Sequence, residues 1–227
     1  MFDFSPFFDN FGELLEGFWA TLRLAGAAAV LSLIIGTLMA SFRVAPVPVM
    51  RAFGTGYVNI VRNTPLTLVL LMCSLGLNDI LALKFSSNYS TSYYWWAVVG
   101  LSAYTGAFVC ETLRSGINTI PLGQAEAARS IGLTFNQSLR IIILPQAFRS
   151  IIAPMGSVLI AMIKNTTVAA AASYGEVALV TKTIVDKPTF SDGVIPLFLG
   201  VAIGFLILTL PTGYFFGWLA KRMAVAR

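Results

Sequence analysis

The chain has no histidine, only two cysteines, and ten acidic against fifteen basic side chains in 227 residues. Without histidine it lacks the side chain that titrates near neutrality, so imidazole acid–base chemistry and histidine metal centres are excluded. The two cysteines, Cys73 and Cys110, cannot make a disulfide framework; both fall in apolar stretches, where a free thiol packs as a small hydrophobe. No Gly-x-x-x-x-Gly-Lys-Ser/Thr sequence occurs, so the chain has no phosphate-binding loop for a nucleotide. No repeat of fixed period and no separable soluble domain is visible, and residues 1–227 read as one membrane domain. The first twenty residues hold Asp3, Asp9, Glu13 and Glu16 but no basic residue, which excludes a cleavable signal. They read as a short, Phe-rich external lead-in resting at the membrane surface.

What the chain has in abundance is apolar surface. Hydrophobic residues make up 57% and charged residues 11%, and the mean hydropathy is +0.80, far outside soluble usage. A bilayer crossing needs about 20 apolar residues. Leu24 to Phe42, Gly193 to Ala220 and the second half of Phe85 to Cys110 meet that requirement. Thr64 to about Asn78 and about Pro145 to Ile163 do so if flanking polar residues enter the helix ends and snorkel. The expectation is an all-α, polytopic protein with five transmembrane helices. Asn63 or Thr64 is expected to cap the second span, with Pro65 in its first turn.

Basic residues fix the orientation, because cytoplasmic loops concentrate them. Arg43, Arg51 and Arg62 lie between the first two spans, Arg114, Arg129, Arg140 and Arg149 between the third and fourth, and Lys221, Arg222 and Arg227 in the tail. The other loops carry only Lys84, Lys182 and Lys187. The N-terminus is therefore expected outside and the C-terminus inside, which agrees with five crossings. The positive net charge then reports topology and implies no nucleic-acid partner.

One segment does not suit a lipid-embedded chain: Gly123 to Arg149, with four charges and an internal proline. Pro121 can start a helix, Gln124 to Ile131 favour one, and Gly132 can end it in a left-handed cap. Alone in water such a helix is too short to be stable. It fits either a plug in a partner's socket, with Ala125, Ala127 and Ala128 allowing close approach, or an amphipathic helix on lipid headgroups.

Glu126-Ala127-Ala128, Gly132 and Ile142-Ile143-Leu144-Pro145 reproduce in sequence and spacing the EAA-x3-G-x9-I-x-LP pattern of membrane subunits of ATP-binding-cassette importers. "VRNTPL" (Val61 to Leu66), "ETLRSGINTIPLGQAEAAR" (Glu111 to Arg129) and "IKNTTV" (Ile163 to Val168) resemble elements of the polar amino-acid branch, most closely glutamate-type permeases of actinobacteria. The resemblance runs from about Thr21 to the C-terminus. It implies a type I importer fold, with a cytoplasmic coupling helix at about residues 122–132. Gly123, Glu126, Ala127, Ala128, Arg129, Gly132 and Leu133 would contact the ATPase.

The resemblance further implies a bacterial plasma-membrane importer of polar amino acids, with glutamate, glutamine or aspartate as solute. Its partners would be a cytoplasmic ATPase dimer, a second homologous permease, an extracytoplasmic solute-binding protein and the surrounding lipids. This chain would hold no cofactor and do no catalysis; ATP and Mg would sit in the ATPase. Asn165 departs from the family pattern, which often has Asp there.

Ionisable residues at membrane depth are candidates for the solute path. Glu111 either contacts solute or pairs with Arg114 or Arg62 to hold the bundle together. Lys164, with Asn165, Thr166 and Thr167, lies where a broken helix would expose backbone groups. Thr64 and Arg62 complete the expected path. Ser74, Ser102 and Thr105 are expected to serve helix packing. A channel or ion-coupled secondary transporter of similar topology is the competing class; it would call for internal repeats or several intramembrane acids, and neither is visible. A membrane anchor without transport would need no coupling helix.

Overall fold

The computed structural model describes residues 4–188, 190 and 193–223; Asp3 and Arg227, used above, lie outside them. Among the described residues every element is helical. In chain order these are α1 (Ser5–Asp9), α2 (Phe11–Val44), α3 (Pro48–Arg62), α4 (Leu66–Leu71) running into a π-helix (Met72–Ile80), and α5 (Tyr89–Asn118). Then come α6 (Leu122–Ser130), α7 (Phe135–Gln137) with a second π-helix (Ser138–Ile143), and α8 (Leu144–Asn165) with a 3-10 helix (Thr166–Ala172). Two more complete the set, α9 (Val177–Val185) and α10 (Val194–Met223).

Four runs are long and apolar enough to cross a membrane: Phe11–Val44, Tyr89–Asn118, Phe135–Ala172 and Val194–Met223. The remaining expected span takes a different form. α3 and Leu66–Ile80 make a pair bent by 103°, and only together do they supply a fifth crossing. The break lies where the sequence reading places caps, but the caps are not made. Asn63 donates its amide to the Asn59 carbonyl and Thr64 its hydroxyl to the Ile60 carbonyl, so both finish α3. Pro65, with extended ψ, is the residue that opens α4, since a residue before proline is held out of the helical region.

The lead-in also differs from expectation. Residues 11–20 continue the first span as one helix, because their inward face has a partner: Leu14 and Gly17 are buried against α9. A β-carbon on Gly17 would stand 2.9 Å from the Val177 Cα, so only glycine lets the helices approach this closely. Lys187 reaches back to Glu13 at 2.6 Å and Asn10 at 3.0 Å, joining the two segments read as external.

The core of the bundle is the α2–α5 pair. In lipid no hydrophobic force drives helices together, so close packing of small residues must hold them. Ala28, Ser32 and Gly36 recur every four residues on α2 and are buried, facing Ser102 and Gly106 of α5. The Ser102 hydroxyl bonds the Val98 carbonyl of its own helix and lies 3.4 Å from the Ala28 carbonyl across the seam. Around this ridge pack Leu24, Leu70, Leu101 and Met162, linking α2, α4, α5 and α8. Cys73 and Cys110 are buried and free, as small hydrophobes are.

Candidate functional site

α6 starts after Pro121 and ends in a Schellman motif. Leu133 N–H bonds the Ala128 carbonyl at 3.1 Å and Gly132 N–H the Arg129 carbonyl at 2.9 Å, with Gly132 at φ +86. Only glycine takes that conformation without strain, and the two bonds satisfy carbonyls the helix end would leave bare. One face of α6 is tied to the bundle: Ala128 is buried, and Gln124 accepts a hydrogen bond from Gln146. The opposite stripe, Gly123, Glu126, Ala127, Ser130 and Ile131, is exposed at i, i+3, i+4, i+7 and i+8. Leu122, Ile131 and Phe135 expose apolar side chains at the same tip. Small residues, two free charges and bare apolar groups form a short protruding knob, suited to seating in a groove.

Two cavities lie along the seam between α5 and α8. The first, about 250 Å³, is lined by Tyr104, Thr105, Phe108, Ser157, Val158, Ala161, Met162 and Asn165. The second, about 350 Å³, lies toward α6 and is lined by Arg62, Glu111, Thr112, Ser115, Gly116, Thr119, Ser150, Ile151 and Pro154. Helical spacing puts Tyr104, Phe108, Thr112, Ser115 and Thr119 on one stripe of α5 and its exit. Phe108 joins the cavities, since it lines the first and carries the Arg62 guanidinium over its ring at 5.4 Å.

Glu111 is the charge centre of this end. It pairs with Arg43, with Arg114 at 3.2 Å and with Arg62 at 3.7 Å. Both partners expected from the sequence are present, and Arg43 of α2 is a third that spacing within α5 cannot reveal. Three arginines around one carboxylate leave a surplus of positive charge. Three of the arginines expected on one side of the membrane, Arg43, Arg62 and Arg114, thus meet at one end of the bundle.

The Lys164 to Thr167 segment does change helix type, from α8 to the 3-10 helix at Thr166. Its four residues point different ways. Asn165 lines the first cavity, Lys164 is exposed outside it, and the buried Thr166 hydroxyl bonds the Ile163 carbonyl at 2.7 Å. Thr167 bonds the Lys164 carbonyl at 2.9 Å. Thr64 sits in the bend between α3 and α4, apart from both cavity linings.

A second buried carboxylate, Glu176, was not singled out from the sequence. It caps α9, accepting from the Ala178 and Leu179 N–H groups at 3.0 and 3.1 Å, and is fully buried beside Thr21. An acid directly before an apolar run was the available signal. Burial pushes its carboxyl up to about 6, while the Ala178 and Leu179 amides and the Thr21 hydroxyl pull it down. The folded state therefore holds this proton more tightly than the unfolded chain, whose carboxyl titrates near 4.5. Its favourable contribution is complete below the unfolded value and is lost as pH rises through the folded one, by about 2 kcal/mol. The thermal midpoint in detergent is expected to fall between pH 5 and pH 7, and Glu176→Gln to flatten that dependence; equal slopes would refute it.

Residues 32–225 match the protein family described as the binding-protein-dependent transport system inner membrane component. The chain belongs to that family. Members are permease subunits of ATP-binding-cassette transporters, in which a partner ATPase hydrolyses ATP, and no catalytic domain is indicated in this chain. The family, an inner-membrane component, has ATPase and binding-protein partners, and its membership disfavours a channel, an ion-coupled carrier or a passive anchor. The chain is 46% identical over 220 residues to the glutamate transport system permease protein GluC of Corynebacterium efficiens, covering 95% of this chain and 96% of that one. It is 45% identical to the Corynebacterium glutamicum protein of the same name, covering 95% and 96%. In three dimensions it matches the crystal structure of an amino acid ABC transporter with histidines at TM-score 0.86 and 23% identity, covering 98% of this chain and 99% of that one. The fold is that of type I importer permeases.

Proposed function

We propose that the chain is the permease subunit of an ATP-driven importer whose solute is glutamate. The observation that carries the reading is near-full-length identity approaching one half to two permeases named for glutamate transport. In this reading the α6 knob, with Gly123, Glu126, Ala127, Ala128, Arg129, Gly132 and Leu133, seats in a cytoplasmic ATPase dimer that holds ATP and Mg. A second, homologous permease completes the pathway, because one small bundle cannot enclose a continuous polar route across the membrane. A solute-binding protein delivers glutamate on the outer face, where the N-terminus lies, and the C-terminus lies inside.

The solute path draws on Asn165 at the first cavity, on Arg62 and Glu111 at the second, and on Lys164, Thr166, Thr167 and Thr64 around them. Lys164 is exposed on this chain and faces the seam with the second permease, where a carboxylate can meet it. Lys164→Ala and Asn165→Ala are each expected to lower turnover roughly tenfold without changing the binding protein's affinity. Wild-type turnover in both would remove that segment from the path. The reading as a whole is tested by reconstituting the co-purified complex in liposomes and measuring ATP hydrolysis with its cognate binding protein. Glutamate should stimulate hydrolysis; stimulation only by a cationic or apolar amino acid would overturn the substrate assignment.

A further inference from the structure

The 350 Å³ cavity near α6 has a division of hydrogen-bonding character across its walls. On one side the Arg62 guanidinium, stacked on Phe108, makes no hydrogen bond among the described residues and stands 3.7 Å from Glu111, so its N–H groups remain for a ligand. Behind that wall and outside the lining, Arg114 is clamped to the same Glu111, with its buried Nε without a partner among the described residues. With Arg43 these cations outnumber the one carboxylate by two. A guanidinium fork with free donors is matched to a carboxylate.

The other wall accepts hydrogen bonds. Thr112 donates to the Phe108 carbonyl at 2.9 Å, Thr119 to the Gly116 carbonyl at 2.7 Å, and Ser150 to the Ala147 carbonyl at 2.8 Å. Thr112 and Ser150 thus commit their protons to helix carbonyls, and Thr119 divides its own between the Gly116 carbonyl and the Ser150 oxygen at 3.3 Å, so each hydroxyl oxygen keeps at least one lone pair for an incoming donor. Pro154 has no N–H to meet the Ser150 carbonyl four residues earlier, which leaves one more acceptor. The volume lies near the lower end of small-ligand sites, about 300–1,000 Å³.

We propose that this cavity is a binding site for an α-amino dicarboxylate at the coupling-helix end of the bundle, a carboxylate meeting Arg62 and the ammonium meeting the Thr112, Thr119 and Ser150 oxygens. The site rests on the glutamate reading and places a second station beyond the Asn165 cavity, from which solute leaves. Phe108, shared between the two, is the step from one to the next. Because the arginines exceed Glu111, the site is cationic when empty and is closer to neutral when occupied, so it selects net negative charge.

The test places a reporter in the wall. Ser115 is exposed and lines the cavity, so Ser115→Cys in the full complex in lipid nanodiscs, without binding protein, can be followed by its reaction with a negatively charged methanethiosulfonate. Glutamate at ~10 mM is expected to slow that reaction about fivefold or more, and glutarate, which lacks the ammonium, to slow it less. Arg62→Gln should abolish protection by both. Ser150→Ala should remove the preference for glutamate over glutarate, a split that a purely structural role would not produce. No protection by glutamate, or equal protection by sulfate or lysine, would overturn the site. Uptake reads the whole transporter and protection reads only this cavity. Glutamate uptake without protection therefore sinks the site alone, whereas protection without glutamate uptake sinks the importer reading alone.

Discussion

Gly132→Val is expected to abolish solute uptake while leaving the chain in the membrane and its partner ATPase able to hydrolyse ATP. The reason is local. Gly132 holds φ +86 with open space where a side chain would stand, so the obstacle is conformational and not steric crowding. A β-branched residue in the left-handed region is strained by about 1–2 kcal/mol, enough to unwind a helix of nine residues with a single buried side chain. Loss of the Schellman bonds frees the end of α6 and turns Ile131 and Leu133 away from their present positions. Glu126→Gln, which keeps the cap and changes only one exposed charge, is expected to reduce coupling mildly. Paired measurements of uptake and ATPase activity in liposomes decide it; normal uptake by the valine variant would mean that α6 is not the transmission element.

The largest loss of stability is expected at Glu111. Removing its carboxylate in Glu111→Ala leaves Arg43, Arg62 and Arg114 facing one another with no counter-ion, and Arg43 is nearly enclosed, with a side chain 12% exposed. Breaking an enclosed ion pair from one side costs about 3–5 kcal/mol. The thermal midpoint of the purified chain should fall by several degrees, and restoring charge balance with Glu111→Ala plus Arg43→Met should recover most of it. Arg62→Gln, which removes the longest and most exposed of the three contacts, should cost under ~1 kcal/mol. Equal losses in Glu111→Ala and Arg62→Gln would show that the cluster does not hold the bundle together.

The long apolar helices were legible because each carries enough consecutive apolar residues to announce itself, and the Gly132 cap because a glycine at the end of a helical run has a local cause. The α3–α4 bend was not legible. Pro65 signalled a helix start correctly, but whether Asn63 and Thr64 cap forward or bond backward depends on carbonyls that α3 leaves open, and α3 itself was read as loop. Its start at Pro48 followed the rule for first-turn proline, hidden by the neighbouring Pro46. The Glu111 cluster was half legible: Arg114 lies within a helical turn, whereas Arg43 arrives from a helix 68 positions earlier. The polar stripe of α5, from Tyr104 to Thr119, had a readable period. Hydroxyl residues in spans serve packing and cavities alike, and only the position of α8 separates Ser102, against α2, from Ser115, in a cavity.

The bond from Lys187 to Glu13 joins positions 174 residues apart. In biosynthetic terms, α2 emerges from the ribosome long before α9 exists, by about 10–35 s at 5–20 residues per second. During that interval Leu14 and the bare backbone at Gly17 lack the α9 surface, and Glu13 lacks Lys187. The first helix therefore reaches the bilayer before the surface that buries its N-terminal third exists, and the contacts of that third are completed only once α9 has been made.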